Sequence, residues 1–203
     1  MKKIILTFGF SIVSVFCSAQ FTSSELRKNF STKEISELEI INSFFLSQIC
    51  ENNQKKFSSC FKDNYWEIVS TGISPLIEKL DYEKQLELYK KISKNTFKEI
   101  WNFEKLTRNV NGIWKDYKSI GFNVFGKYQK FLKDVSLKNS QIENYLESIE
   151  NSGTFENIDT FQQRFHLYPR DFDLDDPNIQ LIISIQYLTG KDYFSRTDEW
   201  KLE

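Results

Sequence analysis

The chain of 203 residues carries 27 basic and 28 acidic side chains, which gives a net charge of −1 at pH 7. Its lysines are interleaved with glutamates, and this argues against the clustered positive surface that nucleic acids and anionic membranes require. The presence of a single histidine excludes the multi-histidine sites that most catalytic zinc and copper centres use. We therefore expect no nucleic-acid partner, and the sequence implies no cofactor.

The first residues predict a secretory signal peptide over residues 1–19. Two lysines precede an apolar stretch over residues 4–16, and Cys17-Ser18-Ala19 supplies the small-residue cleavage pattern. Cleavage there leaves residues 20–203, whose length suits one helical domain with one core. The prediction is an exported protein, periplasmic or secreted.

Two alternatives exist for this leader. A lipoprotein would carry its lipid on Cys17, but the preceding Phe16 is bulkier than the small residue that such processing sites favour. An uncleaved anchor would need roughly 20 apolar residues to cross a bilayer, and the apolar stretch is shorter. The preferred prediction has no membrane span after cleavage.

The first predicted helix begins at a capping box, Ser31-Thr32-Lys33-Glu34. An apolar stripe follows at helical spacing and ends near Cys50, and residues 51–59 are predicted as a loop. Removal of the leader leaves two cysteines, Cys50 and Cys60, in an oxidising compartment, which predicts a disulfide. A redox or metal-binding pair is the weaker interpretation, because the close Cys-x-x-Cys spacing is missing.

The middle of the chain is harder to interpret. The secondary structure of residues 61–73 stays open between a strand and a packed loop. Ser74-Pro75 predicts a helix start, with a kink or break near Asp81. Thr96-Phe97-Lys98-Glu99 predicts another helix that continues to Leu106.

The secondary structure of residues 110–125 stays open. Asn111-Gly112 is a turn signal, and a small hairpin between Val110 and Phe125 is one alternative for this segment. Helical spacing returns from Val124, with Gly126 inside the stripe. Two further helices are predicted, one from the box at Ser140 to Gly153 and one over residues 154–168.

The last predicted helix is the most apolar. Asp176-Pro177 supplies a cap followed by proline, residues 179–188 are apolar at most positions, and Gly190 is the predicted stop. A strand also fits the alternation, but the cap and the length favour a central helix. The predicted fold is therefore all-α, an irregular or orthogonal bundle of about six to eight helices with one disulfide.

Candidate catalytic and metal-binding residues are few. His166 could act as the general base of a hydrolase, although a lone histidine near a helix end is more often structural. Asp171, Asp173 and Asp175 have the spacing that opens a calcium loop, but the glycine and glutamate of an EF-hand are missing, so helix capping is the simpler interpretation.

Candidate ligand-binding residues are Trp114, Tyr117 and Phe122, which lie outside any regular stripe and are expected to be exposed. No motif for a known reaction class is present. The sequence thus favours a non-catalytic binding or interaction protein over an enzyme. Its predicted partner is a protein or small ligand of the cell envelope. The alternative functions are a hydrolase that uses His166 and a calcium-stabilised module.

Overall fold

An apolar helix near the C-terminus is the element around which the other helices pack. The computed structural model describes residues 21–50, 56–71 and 75–200. The apolar helix spans Pro177–Ser195, and the Asp176 side chain caps it by accepting the N–H of Asn178 at 2.8 Å. All residues from 178 to 189 except Gln180 are buried, so this helix is central, as predicted. Of the described helices, none combines the length and apolarity needed to cross a bilayer.

Within the described residues the chain forms ten helices and two strands. In chain order they are α1 (Ser24–Asn29), α2 (Thr32–Ile49), α3 (Phe57–Thr71), α4 (Pro75–Lys79), α5 (Tyr82–Lys91), α6 (Lys94–Ile100), β1 (Trp101–Val110), β2 (Ile113–Phe122), α7 (Lys127–Ser136), α8 (Ser140–Ser152), α9 (Ile158–Leu167) and α10 (Pro177–Ser195). The chain is therefore mostly helical but not purely all-α, and it has more helices than the six to eight expected.

The prediction of a helix through Leu106 is wrong, because the chain becomes a strand at Trp101. Helix α6 is capped by Ser93, whose hydroxyl accepts the N–H of Thr96, and it ends at Ile100. β1 and β2 then pair antiparallel over ten residues each, from Trp101 opposite Phe122 to the closing pair at the turn. The sequence offers a small hairpin as an alternative for residues 110–125. The observed hairpin is longer, since it spans residues 101–122, and its turn is the predicted Asn111-Gly112 turn.

Asn111 and Gly112 are the two central residues of the hairpin turn, between Val110 and Ile113. Their φ angles are 54° and 83°, the pair of left-handed conformations that a type I′ turn requires and that glycine adopts without strain. The Asn109 side chain accepts the N–H of Gly112 at 2.8 Å, which closes the turn.

Several predicted boundaries need correction. Residues 57–71 form helix α3, so residues 61–71 of the segment without an assigned secondary structure are helical, and residues 57–59 belong to a helix instead of the predicted loop. Gly126 caps α7 instead of lying within it, and α10 continues past Gly190 to Ser195. A Cβ at Gly190 would lie 3.1 Å from Ile77 Cδ1, so the glycine permits close packing and does not end the helix. The leader, residues 51–55, residues 72–73 and the cap at Ser74 lie outside the described residues.

The predicted disulfide is confirmed. Cys50 follows the last turn of α2, Cys60 lies in the first turn of α3, and their Cα atoms are 5.2 Å apart. The Cys60 side chain is buried in the core. The bond therefore ties two consecutive helices together at their junction.

Replacing both cysteines, Cys50→Ala with Cys60→Ala, should lower the free energy of unfolding by about 3 kcal/mol, because the unfolded chain gains the freedom that the bond removes. Urea denaturation measures the change. Reductant should destabilise the wild type and leave the double variant unaffected. A variant as stable as the oxidised wild type would contradict the stabilising role.

Glu25 is a buried residue that connects helix α1 to other parts of the fold. Its carboxylate accepts hydrogen bonds from Lys138, from Ser24 at 2.9 Å and from Asn178 at 3.2 Å. The hydrogen bond from Lys138 is the main cause that lowers the pKa of Glu25 from its ordinary 4.5 to about 2. Its ionised form therefore stabilises the folded state.

The contribution of Glu25 should be present above pH 4.5 and should be lost as the pH falls from 4.5 to about 2, because protonation then removes a favourable charge. Glu25→Gln should reduce stability at neutral pH and flatten the acid dependence of the unfolding free energy over this interval. Urea denaturation across that pH range, with both proteins, tests this. Identical slopes for the two proteins would contradict it.

Candidate functional site

The distal end of the hairpin projects from the helical body. Every residue from 109 to 116 is exposed. Three apolar side chains lie at this tip, Val110, Ile113 and Trp114, with exposed fractions of 40%, 61% and 71%. Large apolar side chains clustered on a projecting element are more typical of an interaction site than of a surface with no partner.

The distal half of the hairpin is also basic. Residues 105–118 contain four basic side chains, Lys105, Arg108, Lys115 and Lys118, and one acidic side chain, Asp116, in a chain whose net charge is −1. Two of these charges have contacts within the protein, since Lys105 forms an ion pair with Asp116 at 3.2 Å and the Arg108 guanidinium lies over the ring of Tyr117. These residues are close in the sequence, and the pairing of the strands places Lys105 opposite Lys118 and Arg108 opposite Lys115.

The base of the hairpin is fixed in the core. Trp101 is fully buried, and its indole N–H donates to the Thr189 hydroxyl of α10 at 2.8 Å. The Phe122 ring packs edge-on against Phe155 with ring centroids 5.2 Å apart. The C-terminal residues lie along β2, because the N–H of Lys118 donates to the Asp198 carbonyl at 2.7 Å. A rigid base therefore carries an exposed tip.

The last turn of α10 holds a buried ion pair beside the hairpin. The guanidinium of Arg196 donates two hydrogen bonds to Asp192, at 2.6 and 2.9 Å, and Asp192 is completely buried. Tyr82 of α5 donates to the same carboxylate at 3.3 Å, and Arg196 also contacts the exposed Asp198 at 2.8 Å. This pair connects α5, α10 and the C-terminal segment that lies along β2.

A cleft of about 610 Å³ opens at the base of the hairpin, between the strands, the connection from α8 to α9 and the end of α10. Its wall includes the Glu104 carboxylate and the exposed rings of Tyr193 and Phe194. Burial raises the pKa of Glu104 above its ordinary value. Sequence reasoning did not identify these three residues, because their proximity depends on the hairpin register and on α10 extending past Gly190.

The predicted ligand-binding residues separate in the structure. Trp114 is exposed as expected, whereas Tyr117 is half-buried beneath the Arg108 guanidinium, 5.5 Å from its ring centroid. Phe122 is only 2% exposed, so the expectation that it is exposed is wrong, because the base of the hairpin joins the core.

The predicted catalytic and metal-binding residues lie outside the hairpin, in α9 and in the segment between α9 and α10. His166 is exposed in the last turn of α9. Asp171, Asp173 and Asp175 are exposed as well, and Asp175 accepts a hydrogen bond from Ser58 at 2.9 Å. In the described part of the chain, no group of three or more acidic, histidine or cysteine side chains is arranged to hold a metal ion.

Comparisons with protein-family models, curated proteins and solved structures found no significant match. Function is therefore inferred from the geometry of the hairpin and its surroundings.

Asp192→Asn should lower the free energy of unfolding by about 3–5 kcal/mol, because it removes the buried counter-charge of the Arg196 guanidinium and leaves only the exposed Asp198 beside it. Asp198→Asn is the matched control, since Asp198 contacts the same guanidinium but its side chain is 63% exposed, and its expected cost is at most about 1 kcal/mol. Urea denaturation compares the two variants. Equal losses would contradict the structural role assigned to Asp192.

Proposed function

We propose that this chain is an exported, non-catalytic interaction protein that docks on a protein partner through the tip of its hairpin. The predicted leader over residues 1–19 supports export, and the disulfide is compatible with an oxidising compartment. The observation that carries the docking proposal is the apolar tip on a projecting arm, with Trp114 71% exposed. Tryptophan is among the residues that most often dominate binding energy at protein interfaces.

The chemistry of the tip defines the expected partner. An apolar centre formed by Ile113 and Trp114 requires an apolar pocket, and the basic side chains behind it favour acidic residues around that pocket. The partner is therefore a protein surface with an apolar depression and an acidic rim. Because the base of the hairpin is anchored in the core, little ordering of the backbone opposes binding.

Trp114→Ala should weaken binding of the partner by about 2 kcal/mol, because it removes the largest apolar contact of the tip. The test is retention of a protein from an envelope extract of the native host on immobilised mature chain, followed by measurement of its affinity. Phe125→Ala is the matched control, since Phe125 is a 92% exposed aromatic residue outside the hairpin. Reversing one charge, Lys115→Glu, should slow association and reduce its dependence on salt.

Three results would overturn the proposal. They are the absence of any protein that depends on Trp114, equal losses for the Trp114 and Phe125 variants, and binding of the tip to vesicles of anionic phospholipid with the same dependence on Trp114. The last result would identify a membrane surface as the partner instead of a protein.

A further inference from the structure

The cleft at the base of the hairpin contains one carboxylate, that of Glu104, that lies against the paired strands. Glu104 is half-buried, and among the described residues no cation or hydrogen-bond donor contacts its carboxylate. It lies over Gly121 of the opposite strand, in space that a side chain at position 121 would occupy. The absence of a side chain at Gly121 therefore allows this carboxylate to lie against the sheet, where it is partly withdrawn from water.

The rest of the cleft adds no positive charge. The residues that line it include no lysine, arginine or histidine. Its second carboxylate, Glu156, is already paired, because Arg164 donates to it at 2.6 and 3.0 Å. Arg108 contacts the rings of Tyr117 and Tyr193 and donates to the Arg196 carbonyl at 3.3 Å, and it forms no ion pair with Glu104. The cleft thus keeps one uncompensated negative charge, at Glu104.

Two aromatic rings complete the wall of the cleft. Tyr193 and Phe194 are 45% and 58% exposed, and their ring centroids are 5.2 Å apart in an edge-to-face arrangement. Aromatic faces attract cations. Because the Arg108 guanidinium already lies 5.1 Å from the Tyr193 ring centroid, Phe194 is the ring of this pair whose face no described cation covers. A carboxylate combined with aromatic faces is the arrangement that recognises ammonium groups.

We propose that this cleft binds a small organic cation, an ammonium group on an apolar body, with Glu104 as the counter-charge and the Tyr193 and Phe194 rings as the apolar wall. The volume of about 610 Å³ suits a small molecule. This site is separate from the hairpin tip, so it goes beyond the docking function and stands independently of it.

Calorimetric titration with pentylammonium, at matched ionic strength, tests the proposal on the mature chain. Saturable binding with a dissociation constant on the order of 1 mM is expected. The neutral analogue 1-pentanol and the anionic analogue pentanoate should bind about tenfold more weakly or not at all, because neither can pair with the carboxylate. Equal affinity for all three probes, or no saturable binding of pentylammonium, would overturn the proposal.

Variants assign the two halves of the site. Glu104→Gln should weaken pentylammonium binding by about tenfold, and Phe194→Leu should weaken it by about threefold through loss of the aromatic face. Glu83→Gln, at an exposed glutamate of α5 outside the cleft, controls for net charge and should bind as the wild type does. An unchanged affinity for Glu104→Gln would contradict the assignment.

Stability measurements exclude a trivial explanation for lost binding. Because burial disfavours the ionised form of Glu104, the glutamine variant should melt at the same temperature as the wild type or above it. A lower melting temperature would show that the carboxylate has a structural partner and would overturn its assignment as a free ligand group. Trp114→Ala should keep full affinity for pentylammonium, which separates this site from the docking surface.

Discussion

The fold depends on one constraint, which is that polar side chains of the buried helix α10 need hydrogen-bond partners on other parts of the chain. A buried polar group without a hydrogen bond costs about 1–3 kcal/mol. Five of these side chains are satisfied by different parts of the chain. They are Asn178 with Ser23, Ser184 with Asn42, Gln186 with Tyr145, Thr189 with Trp101 and Asp192 with Tyr82 and Arg196. The apolar residues of α10 drive burial, and these polar residues fix its rotation and register.

The same constraint places both proposed sites. Thr189 fixes Trp101 at the start of β1, and the Asp192–Arg196 pair fixes the end of α10 beside the hairpin. Tyr193 lies one residue beyond Asp192 in the last turn of α10, so its position follows from that pair. A shift of α10 by one residue would rotate it by about 100° and would break all of these hydrogen bonds together. The geometry of the cleft is thus a consequence of core packing.

The sequence predicts the central helix and the disulfide well, because both depend on local signals. Asp176-Pro177 caps α10 as expected, and the Ser31 box forms, with the Glu34 carboxylate accepting the Ser31 N–H at 2.7 Å. The hairpin is predicted less well, because Trp101 and Leu106 also fit helical spacing and because the decisive interactions are distant. The indole of Trp101 reaches a residue 88 positions away, and no local pattern shows this contact.

The candidate sites are harder to predict for a related reason. Glu104 becomes distinctive only when β1 and β2 pair, since that pairing places its carboxylate over Gly121. In the linear sequence it is one of many glutamates in an ordinary mixture of charges. Trp114 is identifiable because it follows a turn signal by two residues, and the turn places it at the exposed end of the hairpin. A sequence pattern can therefore indicate that a residue is exposed where a local turn causes the exposure. It does not show that a charged side chain becomes isolated when two segments pair.

Both proposed sites have features that do not favour stability. An apolar tip in water contributes no burial, and a half-buried carboxylate without a partner disfavours the folded state when it is ionised. Such features persist where the rest of the structure offsets their cost. Here the offset comes from the all-round burial of α10, the Cys50–Cys60 bond and the paired carboxylates of Glu25 and Asp192. The carboxylates of Glu25 and Asp192 stabilise the fold because each is paired with a cation. The Glu104 carboxylate has no such cation beside it, so a positively charged ligand can take that place.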